Sequence, residues 1–352
     1  MATTKVPNNL IDLSGDSGAL PWAVGTTAQR PGSPNSGDFR FNTDDSVFEF
    51  YNGTEWRQID SFNPYEINYL MLAGGGGGGS TRGDACGGGG AGGALTSYTS
   101  NRDADIAPLS ILGFSSGTTY TITIGGGGSA APNNTDQKGL DGDDTVMSGS
   151  DITTLTAVGG GGGSTRGQMG SGSGRAGGCG GGAGGGSPQN AGGSGTAGQG
   201  FDGGDQQNQG PHGTGGGGTQ SAGAASFPSY IPPLGGNGLE SSITGTANYY
   251  GGGGGGGQGG GTGLGGNGGG GNGGRTNTSG TNGTANTGGG GGGQGRRHGS
   301  GAYMVGGNGA SGVFILSIPT SIYSGTITGS PTVTTNGGNT ILTYTGSGTY
   351  TH

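Results

Sequence analysis

The chain has 352 residues and a formal net charge of −8, and its 103 glycines and 14 prolines make up about a third of it, against roughly 12% in an average protein. Strong core formers are few, with 15 Leu, 15 Ile, 8 Val and 9 Phe, which excludes a large apolar core; the glycines come in runs (Gly74 to Gly79, Gly251 to Gly257, Gly288 to Gly293), which excludes collagen. Charged residues, 9% of the chain, are too sparse for an electrostatically swollen disordered chain or a phosphate-backbone binder, so nucleic acid is not expected as a partner.

Met1 to Val24 has no apolar run behind a basic start, so no signal peptide is expected, and no stretch approaches the roughly 18 apolar residues of a membrane-spanning helix. The first folding signal follows: Asp38-Phe-Arg-Phe-Asn42, Val47-Phe-Glu-Phe-Tyr51 and Thr54-Glu-Trp-Arg-Gln58. Phe39 and Phe41 alternate with Arg40, and Phe48 and Phe50 with Glu49, the period-2 pattern of strands with one buried face. Asn52-Gly53 between two such runs is a strong hairpin signal. A meander of about 22 residues is too small to stand alone, so residues 1–60 are expected to form an oligomerising or docking module. Trp22, Phe39, Phe41, Phe48, Phe50 and Trp56 are its candidate docking residues.

Residues 61–310 repeat one device. A short apolar lead (Tyr69-Leu-Met-Leu-Ala73, Tyr120-Thr-Ile-Thr-Ile124, Leu155-Thr-Ala-Val158, Ala247-Asn-Tyr-Tyr250) runs into a glycine tract, which exits through polar residues into a loop. The nonapeptide Gly-Gly-Gly-Gly-Gly-Ser-Thr-Arg-Gly occurs at 75–83 and again at 159–167, and Gly-Thr-Ala-Asn at 245–248 and 283–286. The period is irregular, so this is no fixed-repeat solenoid. Residues 311–352 regain strand patterns in Val313-Phe-Ile-Leu-Ser-Ile318, Thr326-Ile-Thr328, Thr332-Val-Thr334 and Thr340-Ile-Leu-Thr-Tyr344, and read as a small C-terminal β segment.

Two states are open to the tracts. Ordering each residue costs about 1–2 kcal/mol of backbone entropy, and an isolated tract is a flexible linker. Side by side, however, bare chains in left-handed three-fold extended helices approach closely enough for every N–H and C=O to bond a neighbour, each bond returning roughly 0.5–1.5 kcal/mol. The purity of the tracts and their apolar leads favour the lattice. Between Gln258 and Asn272 the non-glycines fall at 258, 262, 264, 267 and 272, three of them in one phase of a three-residue turn, as on an outer edge. The expected fold is therefore mostly β and irregular, with a polyglycine type II lattice at its centre and essentially no α-helix. Such an interior is indifferent to its loops, which leaves them free to vary as a recognition surface.

At this point the residues resemble bacteriophage tail proteins. Arg30 to Ile59, including Gly-Asp-Phe-Arg-Phe-Asn-Thr-Asp-Asp-Ser-Val-Phe-Glu-Phe-Tyr-Asn-Gly-Thr-Glu-Trp at 37–56, is similar to a module of marine and cyanobacterial phage tail fibres, and Met1 to Leu13 to their virion-proximal ends. The glycine tracts resemble the polyglycine domains of phage receptor-binding adhesins. The resemblance implies a virion tail-fibre protein, assembled in the host cytoplasm as a homotrimer. It would dock other tail proteins through residues 1–60 and bind a host cell-surface receptor, a glycan or outer-membrane component, through 61–310. A non-adhesive structural fibre or decoration protein is the alternative, and an ice-binding protein on the same lattice is a third.

No enzyme is expected. His212, His298 and His352 are the only imidazoles and no nucleophile or carboxylate constellation accompanies them. No cofactor or metal is expected either: Asp141-Gly-Asp-Asp144 has too few spaced oxygens for calcium and reads as an acidic turn. Arg82-Gly83-Asp84 spells an adhesion tripeptide, but the second repeat copy has Arg166-Gly167-Gln168, so it reads as a repeat exit. Cys86 and Cys179, each among glycines, read as buried free thiols. The candidate receptor contacts are aromatics, which stack on sugar rings, and arginines: Phe201, Phe227, Tyr230, Tyr249, Tyr250, Arg296, Arg297 and Tyr303. Tyr249 and Tyr250, like Tyr69, read rather as walls of the lattice edge. Phe227 to Pro233, stiffened by Pro228, Pro232 and Pro233, reads as a tip loop.

Overall fold

A computed structural model describes residues 23–59, 67–98, 112–133, 135–167, 172–186, 190–207, 210–226, 233–299 and 303–352. The chain divides into two units, residues 1–64 and 65–352. Among the described residues the structure is strands and irregular backbone, with two single 3₁₀ turns at Thr27–Gln29 and Thr320–Ile322 as its helical content.

The first unit is a four-stranded sheet in the order β1 (Val24–Gly25), β2 (Phe39–Asn42), β3 (Val47–Tyr51), β4 (Trp56–Ile59). Strand β1 runs parallel to β2 and the other pairs are antiparallel, with Phe39 opposite Phe50, Phe41 opposite Phe48 and Tyr51 opposite Trp56. Gly53 has φ +102°, open to glycine at little cost, and the Asn52 side chain accepts the N–H groups of Thr54 and Glu55 to close the turn. The expected meander is present, but its faces are reversed. Arg40, Asn42 and Glu49 are the buried residues, while Phe48 and Phe50 are exposed. Period 2 separates the two faces without saying which is covered. Here the loop around Arg30 covers the polar one, because Glu49 takes hydrogen bonds from both Arg30 and Asn42 and needs no water.

In the second unit the strands are β5 (Asn68–Leu72), β6 (Ala94–Thr96), β7 (Thr119–Thr123), β8 (Thr145–Gly149), β9 (Ile152–Ala157), β10 (Leu239–Ser241) and β11 (Asn248–Tyr250). The C-terminal strands are β12 (Val313–Pro319), β13 (Thr326–Ile327), β14 (Thr332–Asn336), β15 (Asn339–Tyr344) and β16 (Gly348–Thr351). They form two five-stranded sheets, β14-β15-β12-β5-β6 and β13-β16-β7-β8-β9, and the hairpin β10-β11, every pair antiparallel. The C-terminal strands make no sheet of their own: β12 pairs with the lead β5 (Leu316 opposite Tyr69) and β16 with the lead β7 (Tyr350 opposite Tyr120). Tyr69, Met71, Phe314 and Leu316 from one sheet meet Tyr120, Ile122, Met147 and Tyr350 from the other in one buried cluster. Alternation turns Leu70, Leu72, Val313 and Ile315 to the opposite face, where Leu239 and Ile243 cover them. Burying each such side chain contributes about 1.5–3 kcal/mol, so the few core formers are spent on one sandwich that anchors the tracts.

Leaving that sandwich, the tracts form the expected lattice. In the buried run Gly74 to Gly79, the N–H groups of Gly74, Gly77 and Ser80 donate to Asp143, Leu140 and Gln137. Those of Gly75 and Gly78 donate to Ala310 and Gly307, and those of Gly76 and Gly79 to Gly90 and Gly87, all at 2.8–3.2 Å. The donors therefore pass round three antiparallel neighbours one residue at a time, the geometry of three residues per turn. The carbonyls in turn accept from three parallel neighbours: Gly160 and Gly163, Gly128 and Ala131, Gly291 and Gln294. Six segments of the same chain thus surround this helix and satisfy its backbone. The stretch Cys86 to Gly92 repeats the pattern, donating in rotation to 214 and 217, to 294, 291 and 288, and to 164 and 161. Packing this close requires glycine: a Cβ on Gly76 would overlap the carbonyl of Gly161, and one on Gly89 that of Gly76. One expectation fails. Gln258 to Asn272 is not a single helix, because bends at 259–261 and a turn at 267–269 reverse the chain twice, so its non-glycines are turn residues as much as edge residues.

Candidate binding surface at the loop end of the lattice

The register of the tracts gives the body two ends. At one, Ala73 bonds Gly93, Gly93 bonds Val158 and Gly92 bonds Gly288, all beside the sandwich strands. At the other, Ser80, Cys86, Ser164, Gly257 and Gln294 hand the chain to polar loops. Polar side chains close that second end. The Gln294 amide makes a two-way bridge to the Thr81 backbone (Oε1 to N 2.9 Å, Nε2 to O 2.8 Å), and Thr165 Oγ1 donates to the Ser80 carbonyl (2.8 Å).

The sequence candidates separate between the two ends. Arg296, Arg297 and Tyr303 lie at the loop end: the Arg297 guanidinium sits 5.1 Å from the Tyr303 ring centroid, and Tyr303 is 60% exposed. Tyr249 and Tyr250 lie on β11 at the sandwich end. The Tyr249 hydroxyl donates to Glu240 (3.2 Å), and Tyr250 packs against the Leu239 and Ile243 cluster, which is the wall reading. Phe201 is no loop residue; its N–H donates to Gly218 and its carbonyl accepts from Gly180, so it belongs to a lattice segment. Phe227 and Tyr230 lie outside the described residues, as does Trp22 of the first unit. In that unit Trp56 has the Arg40 guanidinium 6.0 Å from its ring, beside a cleft of about 280 Å³ lined by Val24, Pro31 and Phe39.

Both short motifs are absorbed by structure. Asp84 of Arg82-Gly83-Asp84 lies between two guanidiniums, 3.9 Å from Arg166 and 3.8 Å from Arg296. Asp141 grips Arg175 through two 2.7 Å bonds and also takes the Gly162 N–H, while Asp144 takes that of Gly159. These carboxylates cap donors at the lattice flank, but the segment is not the acidic turn expected: it runs extended in a lattice column, with the Gly142 and Asp143 N–H groups donating to Gly160 and Gly126. His212 at the loop end has an unpartnered, buried Nδ1, and burial together with nearby Arg296 lowers its pKa.

Residue-type scanning missed a cleft of about 550 Å³ on the flank of the loop end, lined by Lys138, Arg166 and Arg175 with Asp136 and Thr165. Asp136 is committed elsewhere, to Thr81 Oγ1 and the Arg82 N–H, each at 2.9 Å, and its pKa is lowered chiefly by that backbone bond. The repeated exit Ser-Thr-Arg-Gly was the available signal, since it delivers Arg82 and Arg166 to the same end. Among the described Lys and Arg of residues 67–352, Arg82, Lys138, Arg166, Arg275, Arg296 and Arg297 lie toward the loop end, and Arg175 stands level with the middle of the tract. Asp143, Asp144, Asp151 and Glu240 lie at the sandwich end.

Against known proteins, residues 55–319 match the family described as Glycine-rich domain, about three quarters of the chain. The chain belongs to this glycine-rich family. No curated protein and no solved structure matches it. What sets this member's surface is the loops, because the family's defining glycines form the interior that the loops cover.

Proposed function

We propose that the chain is a virion tail-fibre protein of the bacteriophage type, whose residues 65–352 bind a receptor on the host cell surface during adsorption. The observation that carries this reading is the lattice itself. Six-fold backbone bonding holds the loop end fixed around an interior of glycine and a few small or polar side chains, so the loops present a preorganised surface whose sequence is free to change. The resemblance of Arg30 to Ile59 to tail-fibre modules supports a virion-docking and trimerising role for residues 1–60, and the separateness of the first unit accords with it. The body has no part in nucleic-acid binding or catalysis on this reading.

Fluorescently labelled full-length protein, incubated with a panel of marine and cyanobacterial strains, tests it. Saturable labelling of particular strains, with protection of those strains from infection, is the expected result. Absence of binding across strains that the parent virus infects would leave the structural-fibre alternative in its place.

A further inference from the structure

The described cations of the body gather on one side although the net charge is negative. An acidic protein gathers its described basic side chains toward one end of a rigid block, where Asp84, Asp136 and Asp141 lie among them. The tracts bond almost wholly backbone to backbone, so the lattice interior does not dictate where the cations lie. Several of these cations also lack an internal counter-ion. Among the described residues Lys138, Arg275 and Arg297 have no carboxylate at ion-pair distance; the Arg275 Nε donates to the Thr262 hydroxyl, and Arg297 lies over Tyr303. Arg166 and Arg296 share one carboxylate, Asp84, at 3.8–3.9 Å, too long for a hydrogen bond to either.

We infer that the loop end, centred on the cleft between Lys138, Arg166 and Arg175, binds the sulfate or carboxylate groups of an acidic polysaccharide. This rests on the reading of the body as a surface-binding module and names the chemistry of its ligand. The cleft has room for about one or two sugar rings at its 550 Å³. Lys138 supplies a charge with no carboxylate at ion-pair distance, Arg166 shares the single carboxylate of Asp84 with Arg296, Arg175 is held in place by Asp141, and Thr165 lines the wall. Burial, with Arg175 adding to it, already disfavours the charged form of Lys138, so a bound anion relieves a cost the free protein carries. Beyond the cleft, Tyr303 offers an exposed ring flanked by a guanidinium, the pairing that takes a sugar face and its acidic substituent together.

Binding of the full-length protein to immobilised dextran sulfate, polygalacturonate and uncharged dextran tests the inference, with duplex DNA as a further polyanion. The expected result is binding to at least one acidic polysaccharide, not to dextran, weakening with salt, and about fivefold or more weaker in Lys138→Gln and in Arg166→Gln. Arg57→Gln, which removes the same charge from the exposed surface of the first unit, should leave affinity unchanged. The sulfated and uronate arms tell which substituent is read. Equal binding to dextran, equal loss in Arg57→Gln, or tighter binding to DNA than to either acidic glycan overturns the inference. Cell adsorption measured in parallel separates the two readings: adsorption without preference for acidic polymers sinks this inference alone, and acidic-polymer binding without adsorption upholds it while counting against the host-receptor role.

Discussion

Arg40 and Glu49 face each other across β2 and β3 on the covered side of the first unit, Nε to Oε1 3.5 Å, with Glu49 fully buried. Arg30 closes the group from the loop, its Nε 3.1 Å from the same carboxylate oxygen. Breaking a buried pair from one side leaves the other charge without compensation. Glu49→Gln should therefore destabilise the first unit by about 2–4 kcal/mol, measured by tryptophan fluorescence, since both tryptophans precede residue 60.

The same group makes that unit acid-sensitive. The Arg30 hydrogen bond holds the Glu49 carboxyl below the usual carboxylate range, with burial opposing it. A depressed folded value means stability that is complete above the unfolded value of about 4.3 and is lost as pH falls through the folded one. The fluorescence midpoint in denaturant should drop on acidification below about pH 4, and the drop should shrink in Glu49→Gln. An unchanged acid response in the variant would assign it to other carboxylates.

Substituting the interior glycines should be far worse than substituting those outside. Gly89→Ala places a methyl on the Gly76 carbonyl, backbone against backbone, and should cost about 3 kcal/mol or more. Gly260→Ala meets open space and should be neutral or slightly stabilising. Thermal unfolding of the two variants makes the comparison, and amide exchange should be slow at Gly75 to Gly79 and fast at 259–261.

The two thiols should be silent in the native protein. Cys86 and Cys179 are buried and free; burial pushes the Cys179 thiol up to about 12 and Cys86 higher still. A thiol reagent at pH 8 should titrate none of the folded chain and both after unfolding. Rapid modification of either would show that the tracts around them open.

Tyr69 carries its hydroxyl into the sandwich without a partner, and burial raises its pKa to about 12. Removing an unsatisfied buried polar atom is neutral or favourable. Tyr69→Phe should leave the melting temperature unchanged or raise it, by up to about 1 kcal/mol equivalent.

Local patterns made the meander, the lead strands and the C-terminal strands legible, because alternation and turn residues act within a few positions of each other. The lattice was legible through the purity of its tracts. What stayed hidden was long-range: that Tyr69 lies opposite Leu316 and Tyr120 opposite Tyr350 is decided by how the tracts return, which no short window contains. The polar face of the first unit was hidden for another reason, since Glu49, Arg30 and Asn42 satisfy one another only once folded. The loop-end surface was half legible. Arginines and Tyr303 were picked by type, but Lys138 gains meaning only when Asp141, three residues on, draws Arg175 from the next tract to the same cleft.

Because each residue along a tract turns its donor to the next of three partners, chain length there is counted in threes. Deleting one glycine from Gly74 to Gly79 would rotate every later amide by about 120° and aim it at the wrong partner, whereas inserting three would lengthen the column and keep every pairing direction. Natural variants of such a body should therefore grow or shrink by triplets within the columns and by any number in the caps, a reading frame written in hydrogen bonds.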